Sequence, residues 1–133
     1  MYSWLKRNWA TDKSTRKIGE SAELLAQKYL VRKGLSPITR NYSCRRGEID
    51  LIMQDGNFLV FIEVRYRKNT IYGSAAESVT RQKQHRLLAT ANYYLQNEKS
   101  GQDILCRFDV ISVLGQYNPQ IDWIKNAFQA EAY

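Results

Sequence analysis

The sequence predicts an α/β fold in which a mixed central β-sheet is flanked by helices, in the order α-β-β-β-α-β-β. Two stretches, 18–33 and 78–96, carry the i, i+3, i+4 apolar spacing of amphipathic helices. The stretches between and after them are short and rich in β-branched or alternating apolar residues, as strands are. Tight turns give antiparallel neighbours, whereas a helix between two strands allows parallel pairing, so the sheet should be mixed.

Composition favours one basic domain. The chain has 133 residues, which we divide into an N-terminal arm at 1–17 and a single domain at 18–133. Its net charge of +7 indicates a polyanionic partner, with nucleic acid before membrane, although a basic protein without such a partner is the alternative. The two cysteines are isolated, and no run approaches the ~20 apolar residues of a membrane span. We therefore expect a cytoplasmic protein with no membrane partner.

Two polar stretches combine basic and aromatic residues. They are the arm at 1–17 and the segment 66–74, which contains Arg67 and Lys68. Cationic side chains neutralise phosphates and aromatic rings stack on bases, so both stretches are candidate nucleic-acid contacts. A frayed terminus and a solvated connector are the corresponding structural alternatives.

The first predicted helix spans Ile18 to Lys33, with Thr15 as its N-cap. Glu20 lies in its first turn, where a carboxylate either complements the helix dipole or supplies an acidic group to a site on the sheet. The strand Leu35 to Ser43 follows. Pro37 near its start favours an edge position or the beginning of a strand, because proline cannot donate a ladder hydrogen bond.

The centre of the sheet is predicted to be a hairpin turning at Asp55-Gly56, a pair that favours two-residue hairpin loops. In this register Asp50 pairs with Phe61, and Asp50 and Glu63 are diagonal neighbours on one face, about 7–8 Å apart. That face is also apolar near the turn, so the hairpin should be covered on both sides. The other face carries Ile49, Leu51, Met53, Phe58, Val60, Ile62 and Val64.

Two carboxylates in a covered sheet are unfavourable unless they are compensated. Asp50 and Glu63 could close onto a shared cation. They could equally form an ion-pair network, for example with Arg65 and Arg46, because structural networks of this kind imitate active sites. The residues alone leave both interpretations open.

The second predicted helix spans Ser78 to Gln96 and is capped by Thr80. Its first turns hold Arg81, Lys83 and Arg86, against the preference of a helix N-terminus for anions. Such cations indicate either an anionic ligand or a solvated charged face.

Two further strands complete the sheet, at Asp103 to Leu114 and at Ile121 to Ala127. Arg107 and Asp109 on the first of them are expected to pair with neighbouring strands in a structural role. The second should be an edge strand, where Lys125 would discourage further pairing.

Several short motifs together resemble the YraN family of small bacterial proteins, over about Ile18 to Phe128. Within them, an acid at Asp50 followed by Glu63-Val64-Arg65 is similar to the PD-(D/E)XK nuclease signature. The resemblance implies a restriction-endonuclease-like fold, similar to that of archaeal Holliday junction resolvases. The motifs are G-E-S-A at 19–22, Arg40-Asn41, G-E-I-D-L-I, F-I-E-V-R, T-R-Q-K-Q-H-R-L and R-F-D-V-I.

The function that this resemblance implies is that of a metal-dependent nuclease acting on phosphodiester bonds of DNA, including branched DNA. Glu20, Asp50 and Glu63 would fall on the acidic positions. Asp50, Glu63 and the Val64 carbonyl would hold Mg²⁺ or Mn²⁺, hard cations that prefer oxygen ligands. The resemblance to junction resolvases also implies a homodimer, because a two-fold symmetric enzyme matches a two-fold symmetric substrate. The sequence itself does not fix the oligomeric state, nor whether the substrate is DNA or RNA.

One departure from the signature concerns Arg65, which stands where the signature has lysine. Arginine stays charged, so Arg65 could hold a phosphate but could not act as a base, and Lys83 is the candidate replacement. A nucleic-acid-binding module with a degenerate site, or a protein-interaction domain, is therefore the alternative function. The expected nucleic-acid contacts are Arg45, Arg46, Arg67, Lys68, Arg81 and Arg86.

Overall fold

The computed structural model describes residues 13–69, 78–99 and 102–129. It confirms the α/β class and the predicted order of elements. The predicted nucleic-acid contacts in residues 1–12 and 70–74 lie outside the described residues. The elements are α1 (Lys13–Arg32), β1 (Ser36–Cys44), β2 (Gly47–Asp55), β3 (Phe58–Arg67), α2 (Arg81–Glu98), β4 (Leu105–Leu114) and β5 (Gln120–Phe128).

The five strands form one mixed sheet in the order β1-β2-β3-β4-β5. Strands β3 and β4 are parallel and are connected through α2, whereas the other neighbours are antiparallel. Strands β1 and β5 lie at the two edges of the sheet. This confirms the edge positions that Pro37 and Lys125 predicted for these strands. The acidic residues of the predicted hairpin therefore lie on the inner strands β2 and β3.

The sheet is covered on both faces, as predicted. Helix α1 packs Ala22, Ala26 and Leu30 on one face, and α2 packs Leu87 and Ala91 on the other. The face beneath α1 contains most of the predicted apolar set, namely Leu51, Met53, Val60, Ile62 and Val64.

Two members of that apolar set were assigned wrongly. Ile49 belongs to the cluster beneath α2, because the β2–β3 ladder ends at Leu51 and the alternation of side chains breaks beyond it. Phe58 is 37% exposed, and the guanidinium carbon of Arg107 lies 5.4 Å from the centroid of its ring.

The hairpin turns at Gly56-Asn57, not at the predicted Asp55-Gly56. Asp55 pairs with Phe58, and Phe61 pairs with Ile52 instead of Asp50, so the predicted register was wrong. Gly56 has φ of 58°, and a positive-φ glycine is what the first loop position of a type II′ turn requires. The partner of each β3 residue moves by two positions along β2, and a shift by an even number of residues does not by itself turn a side chain to the other face.

The two helices begin differently from prediction. Helix α1 starts at Lys13, so residues 13–17 of the assigned arm are helical and Thr15 is not the N-cap. Thr80 is confirmed as the N-cap of α2, since its hydroxyl accepts a hydrogen bond from the backbone N–H of Lys83 at 3.3 Å. Within the described ranges, no helix is long and apolar enough to cross a membrane.

The contacts of Asp109 on β4 confirm the structural role that was expected for this residue. Its carboxylate accepts hydrogen bonds from Arg107 Nε at 3.0 Å, Trp123 Nε1 at 2.9 Å and the backbone N–H of Asn126 at 2.9 Å. These contacts span the irregularity in the β4–β5 ladder between Phe108 and Val110. A buried carboxylate with this many donors needs no metal to be compensated.

Candidate active site

The two acids of the hairpin meet where the β2–β3 ladder stops. Beyond the pair Leu51–Ile62, the Oδ2 atom of Asp50 accepts a hydrogen bond from the backbone N–H of Val64 at 2.9 Å. Asp50 thereby occupies the place of a strand carbonyl, and its side chain crosses towards Glu63. In an extended strand the N–H and C=O of one residue point to the same side, so the Val64 carbonyl should also face this pair.

The acid pair is buried, with Asp50 2% and Glu63 3% exposed. Burial is the main cause that raises the pKa of Glu63, to about 8, and the charge of Asp50 and a hydrogen bond to Asp50 add to it. The nearby ammonium of Lys83 acts in the opposite direction. Burial and the charge of Asp50 thus favour a proton on the Glu63 carboxyl, and a proton held between the two acids would let them stay in contact away from water.

Two cations surround Glu63. Lys83 Nζ forms an ion pair with Glu63 Oε2, and both side chains are almost fully buried. Arg65 Nη1 lies 3.6 Å from the same carboxylate oxygen. The predicted network is therefore right for Arg65, whereas Arg46 lies on the β1–β2 turn with its guanidinium carbon 6.0 Å from the ring centroid of Tyr93.

A basic cleft of about 300 Å³ lies between the β1–β2 turn and the first turns of α2. Lys83 lines the cleft and also forms the ion pair with Glu63, so one residue connects the cleft with the acid pair. Three arginines supply positive charge and Glu48 the opposing negative charge. The lining residues are Ser43, Cys44, Arg45, Arg46, Gly47, Glu48, Lys83, Arg86 and Leu87.

Gly47 fixes how closely the turn approaches α2. Its φ is +152°, and a Cβ at this position would lie 3.0 Å from Thr90 Oγ1 and 3.8 Å from Arg86 Cβ. The Thr90 hydroxyl in turn donates a hydrogen bond to the Arg86 carbonyl at 2.8 Å. Only glycine combines this backbone conformation with so short a contact, so Gly47 sets the distance between the two walls of the cleft.

The structure brings together only part of the predicted site. Arg45, Arg46 and Arg86 line the cleft, and Asp50, Glu63, Arg65 and Lys83 form the network beside it. The remaining predicted cations lie outside the cleft lining: Arg67 is half-buried at the end of β3, while Lys68 and Arg81 are exposed.

Glu20, the third predicted acid, is exposed on α1. Within the described ranges no group of three or more His, Cys, Asp or Glu side chains is placed to hold a metal ion. The two acids that are in contact with each other are Asp50 and Glu63.

Comparison with known proteins identifies the family. The model of the "Uncharacterised protein family UPF0102" matches residues 22–113, from α1 to β4. The chain belongs to the UPF0102 family. The YraN-like membership expected from the motifs is thereby confirmed, and the match includes both the acid pair and the cleft.

UPF0102 relatives are similar to this chain over most of its length. A UPF0102 protein of Saccharophagus degradans is 49% identical over 110 residues, covering 83% of this chain and 91% of the relative. One from Aeromonas hydrophila is 53% identical over 111 residues, covering 83% of each chain. A third, from Pseudomonas aeruginosa, is 46% identical over 120 residues, covering 88% of this chain and 96% of the relative.

Sequence reasoning missed three features of this UPF0102 structure. Glu23 on α1 is 1% exposed, and its spacing of three and seven residues from Ala26 and Leu30 could have placed it on the buried stripe. The contact of Gly47 with α2 had no local signal, because it depends on tertiary packing. The position of Tyr93 beside Arg46 was also missed, because the helical apolar pattern selects its neighbour Tyr94, which is the buried residue of the two.

Proposed function

We propose that this protein is a metal-dependent nuclease of the restriction-endonuclease-like PD-(D/E)XK kind, acting on phosphodiester bonds of DNA. The observation that carries the proposal is the position of Lys83, which contacts the buried Glu63 and also lines the basic cleft. A phosphate drawn into the cleft by its arginines would come to Lys83, next to the acid pair. Lys83 thus connects the basic cleft with the acid pair.

The donor set fits a hard divalent cation. Asp50, Glu63 and the Val64 carbonyl would hold Mg²⁺ or Mn²⁺ through oxygen atoms, and Mg²⁺ usually binds one or two carboxylates and keeps several waters. The raised pKa of Glu63 supports this assignment, because it reflects burial and, after it, the nearby charge of Asp50, and a divalent cation would stabilise the ionised carboxylate against both. When bound, the cation would activate water and offset negative charge on the phosphate.

The basic residues would divide the remaining work. Arg65 keeps its charge at any relevant pH, so it would hold a phosphate oxygen near Glu63. Lys83, which contacts Glu63, would orient the attacking water in place of the lysine of the signature. Arg45, Arg46 and Arg86 would bind flanking phosphates in the cleft.

Cleavage assays with Mg²⁺ or Mn²⁺ test the proposal on labelled linear, flapped and four-way-junction DNA. We expect the wild type to cleave, and Asp50→Asn and Lys83→Met to lose activity on the order of 100-fold, as for loss of a group that stabilises the transition state. Lys125→Met, the same change on the distant edge strand, should leave activity unchanged. Absence of cleavage of every substrate by the wild type with either metal would overturn the proposal.

The substrate ranking in that assay would also refine the class. A preference for the four-way junction, together with a dimer in sedimentation analysis, would support a resolvase-like homodimer, because a two-fold enzyme matches a two-fold substrate. A preference for flapped or linear DNA by a monomer would exclude this refinement and leave the nuclease proposal intact.

A nucleic-acid-binding module without catalysis is the second candidate. The observation that favours it is that Glu63 already contacts Lys83 and Arg65, so the network is partly compensated without a metal. This candidate requires DNA binding that weakens steeply with salt, no cleavage by the wild type, and none by Arg65→Lys. Cleavage gained by Arg65→Lys alone would instead mean that the nuclease site is intact except at this residue.

A further inference from the structure

An exposed aromatic side chain stands at the mouth of the basic cleft. Tyr93 of α2 is 39% exposed, and the guanidinium carbon of Arg46 lies 6.0 Å from its ring centroid. Arg46 itself lines the cleft. The ring of Tyr93 therefore lies beside one of the cations of the cleft, although it is not part of the cleft lining.

Packing does not account for this ring. Neither hydrophobic cluster formed by the described residues includes Tyr93, whereas the adjacent Tyr94 is buried beneath α2 at 4% exposure. Arg86, a cleft residue, lies seven residues before Tyr93, about 10 Å along a helix that rises 1.5 Å per residue. Cation and ring are thus spaced along one side of the entrance to the cleft.

The size of the cleft limits what can enter it. Asp50 and Glu63 are at most 3% exposed, so a phosphodiester can approach them only through a gap in the surface such as this one. At about 300 Å³ the cleft is at the small end of the range for sites that hold one small ligand. We therefore expect a single strand, rather than a duplex, to enter it.

We propose that the cleft binds an unpaired, single-stranded segment of DNA, with one base stacked on Tyr93 and adjacent phosphates on Arg46 and Arg86. The faces of a paired base are covered by its neighbours in the duplex, so only an unpaired base can lie on this ring. Base–aromatic stacking depends little on sequence, and the phosphate contacts are independent of sequence. The proposal rests on the proposed function for its choice of DNA, and it adds the strandedness of the substrate.

Binding measured in EDTA tests this inference without requiring a metal or cleavage. We would measure anisotropy of a labelled 12-mer, single-stranded or in a matched duplex, with 2-aminopurine at successive positions to report stacking. We expect the single strand to bind more tightly, and Tyr93→Ala to weaken its binding about 5- to 100-fold and abolish 2-aminopurine quenching. Tyr93→Phe keeps the ring and should retain both.

The matched control is Tyr117→Ala, which removes the 84% exposed tyrosine of the β4–β5 turn and should not change binding. Equal or tighter binding of the duplex, or an effect of Tyr93→Ala below twofold, would overturn the inference. Cleavage of duplex DNA with no effect of Tyr93→Ala would leave the nuclease proposal standing while this one falls. Binding of the single strand through Tyr93 with no cleavage would support this inference and contradict the nuclease proposal.

Discussion

Lys83 of α2 and Glu63 of β3 form an ion pair in which the two side chains are only 4% and 3% exposed. The pair joins the helix to the inner strand at the end of the sheet where Asp50 also lies. A buried ion pair adds little net stability, but removing one partner leaves a buried charge without compensation. The contact is therefore expected to matter both for folding and for the site.

Lys83→Met should destabilise the protein by about 3 kcal/mol at pH 9, because ionised Glu63 then loses its closest cation. The loss should be smaller at pH 6, where Glu63 can remain protonated. Urea unfolding at both pH values measures the difference, with Lys125→Met as the surface control. A loss of the same size in a Glu63→Gln background would show that Lys83 acts through packing and not through this ion pair.

The raised pKa of Glu63 predicts a pH dependence of stability. Folding raises this pKa from 4.5 to about 8, so between these values the folded state holds a proton that the unfolded state releases. The stability contributed by Glu63 is full below about pH 4.5 and is lost as the pH rises through 8. Relative to Glu63→Gln, the free energy of unfolding of the wild type should fall by at most about 1.4 kcal/mol per pH unit across this window. Parallel curves for the two proteins would contradict the assignment.

Metal binding should release a proton. A divalent cation requires Glu63 as a carboxylate, so Mn²⁺ should bind more weakly as the pH falls below about 8 and should displace one proton there. Calorimetry in buffers with different ionisation enthalpies counts that proton. Asp50→Asn should abolish the binding, whereas Asp103→Asn, a change at an exposed acid, should not. Binding that is insensitive to pH would place the metal elsewhere.

Gly47→Ala should destabilise the protein by about 1–3 kcal/mol, because an alanine there is strained and its Cβ lies 3.0 Å from Thr90 Oγ1. Gly34→Ala is the control for backbone strain alone, since φ is +101° there and no atom lies within 4 Å of the added Cβ. Thermal unfolding of both variants separates the two effects. If the crowding is real, Gly47→Ala should be less harmful in a Thr90→Ala background.

The order of elements and the faces of the strands could be predicted because both depend on local patterns. Even the incorrect turn left Ile52, Leu59 and Phe61 on the predicted face, since the register moved by two residues. Asp50 and Glu63 were paired correctly for the same reason. What failed was the register, which depends on the turn type, and the end of the ladder at Leu51, where the Asp50 side chain accepts the hydrogen bond of Val64.

The contacts of α2 with the sheet show where the sequence was insufficient. Lys83 was singled out because a cation early in a helix is unfavourable, but its partner could not be known before the helix was placed. The cleft depends on how closely Gly47 approaches Thr90, a tertiary distance without a local signal. Glu20 and Glu23 differ only in helical phase, and the burial of Glu23 follows from that phase.

The acid pair and the whole lining of the cleft lie between Ser43 and Leu87, a continuous part of the chain. One stretch of the chain thus supplies all the groups of the site, although the contacts that assemble them, such as that of Glu63 with Lys83, are tertiary. Strand β5 and the Asp109 contacts that hold it contribute stability without supplying any of these groups. A circular permutant with its new ends at the β4–β5 turn would therefore keep the site within one uninterrupted segment.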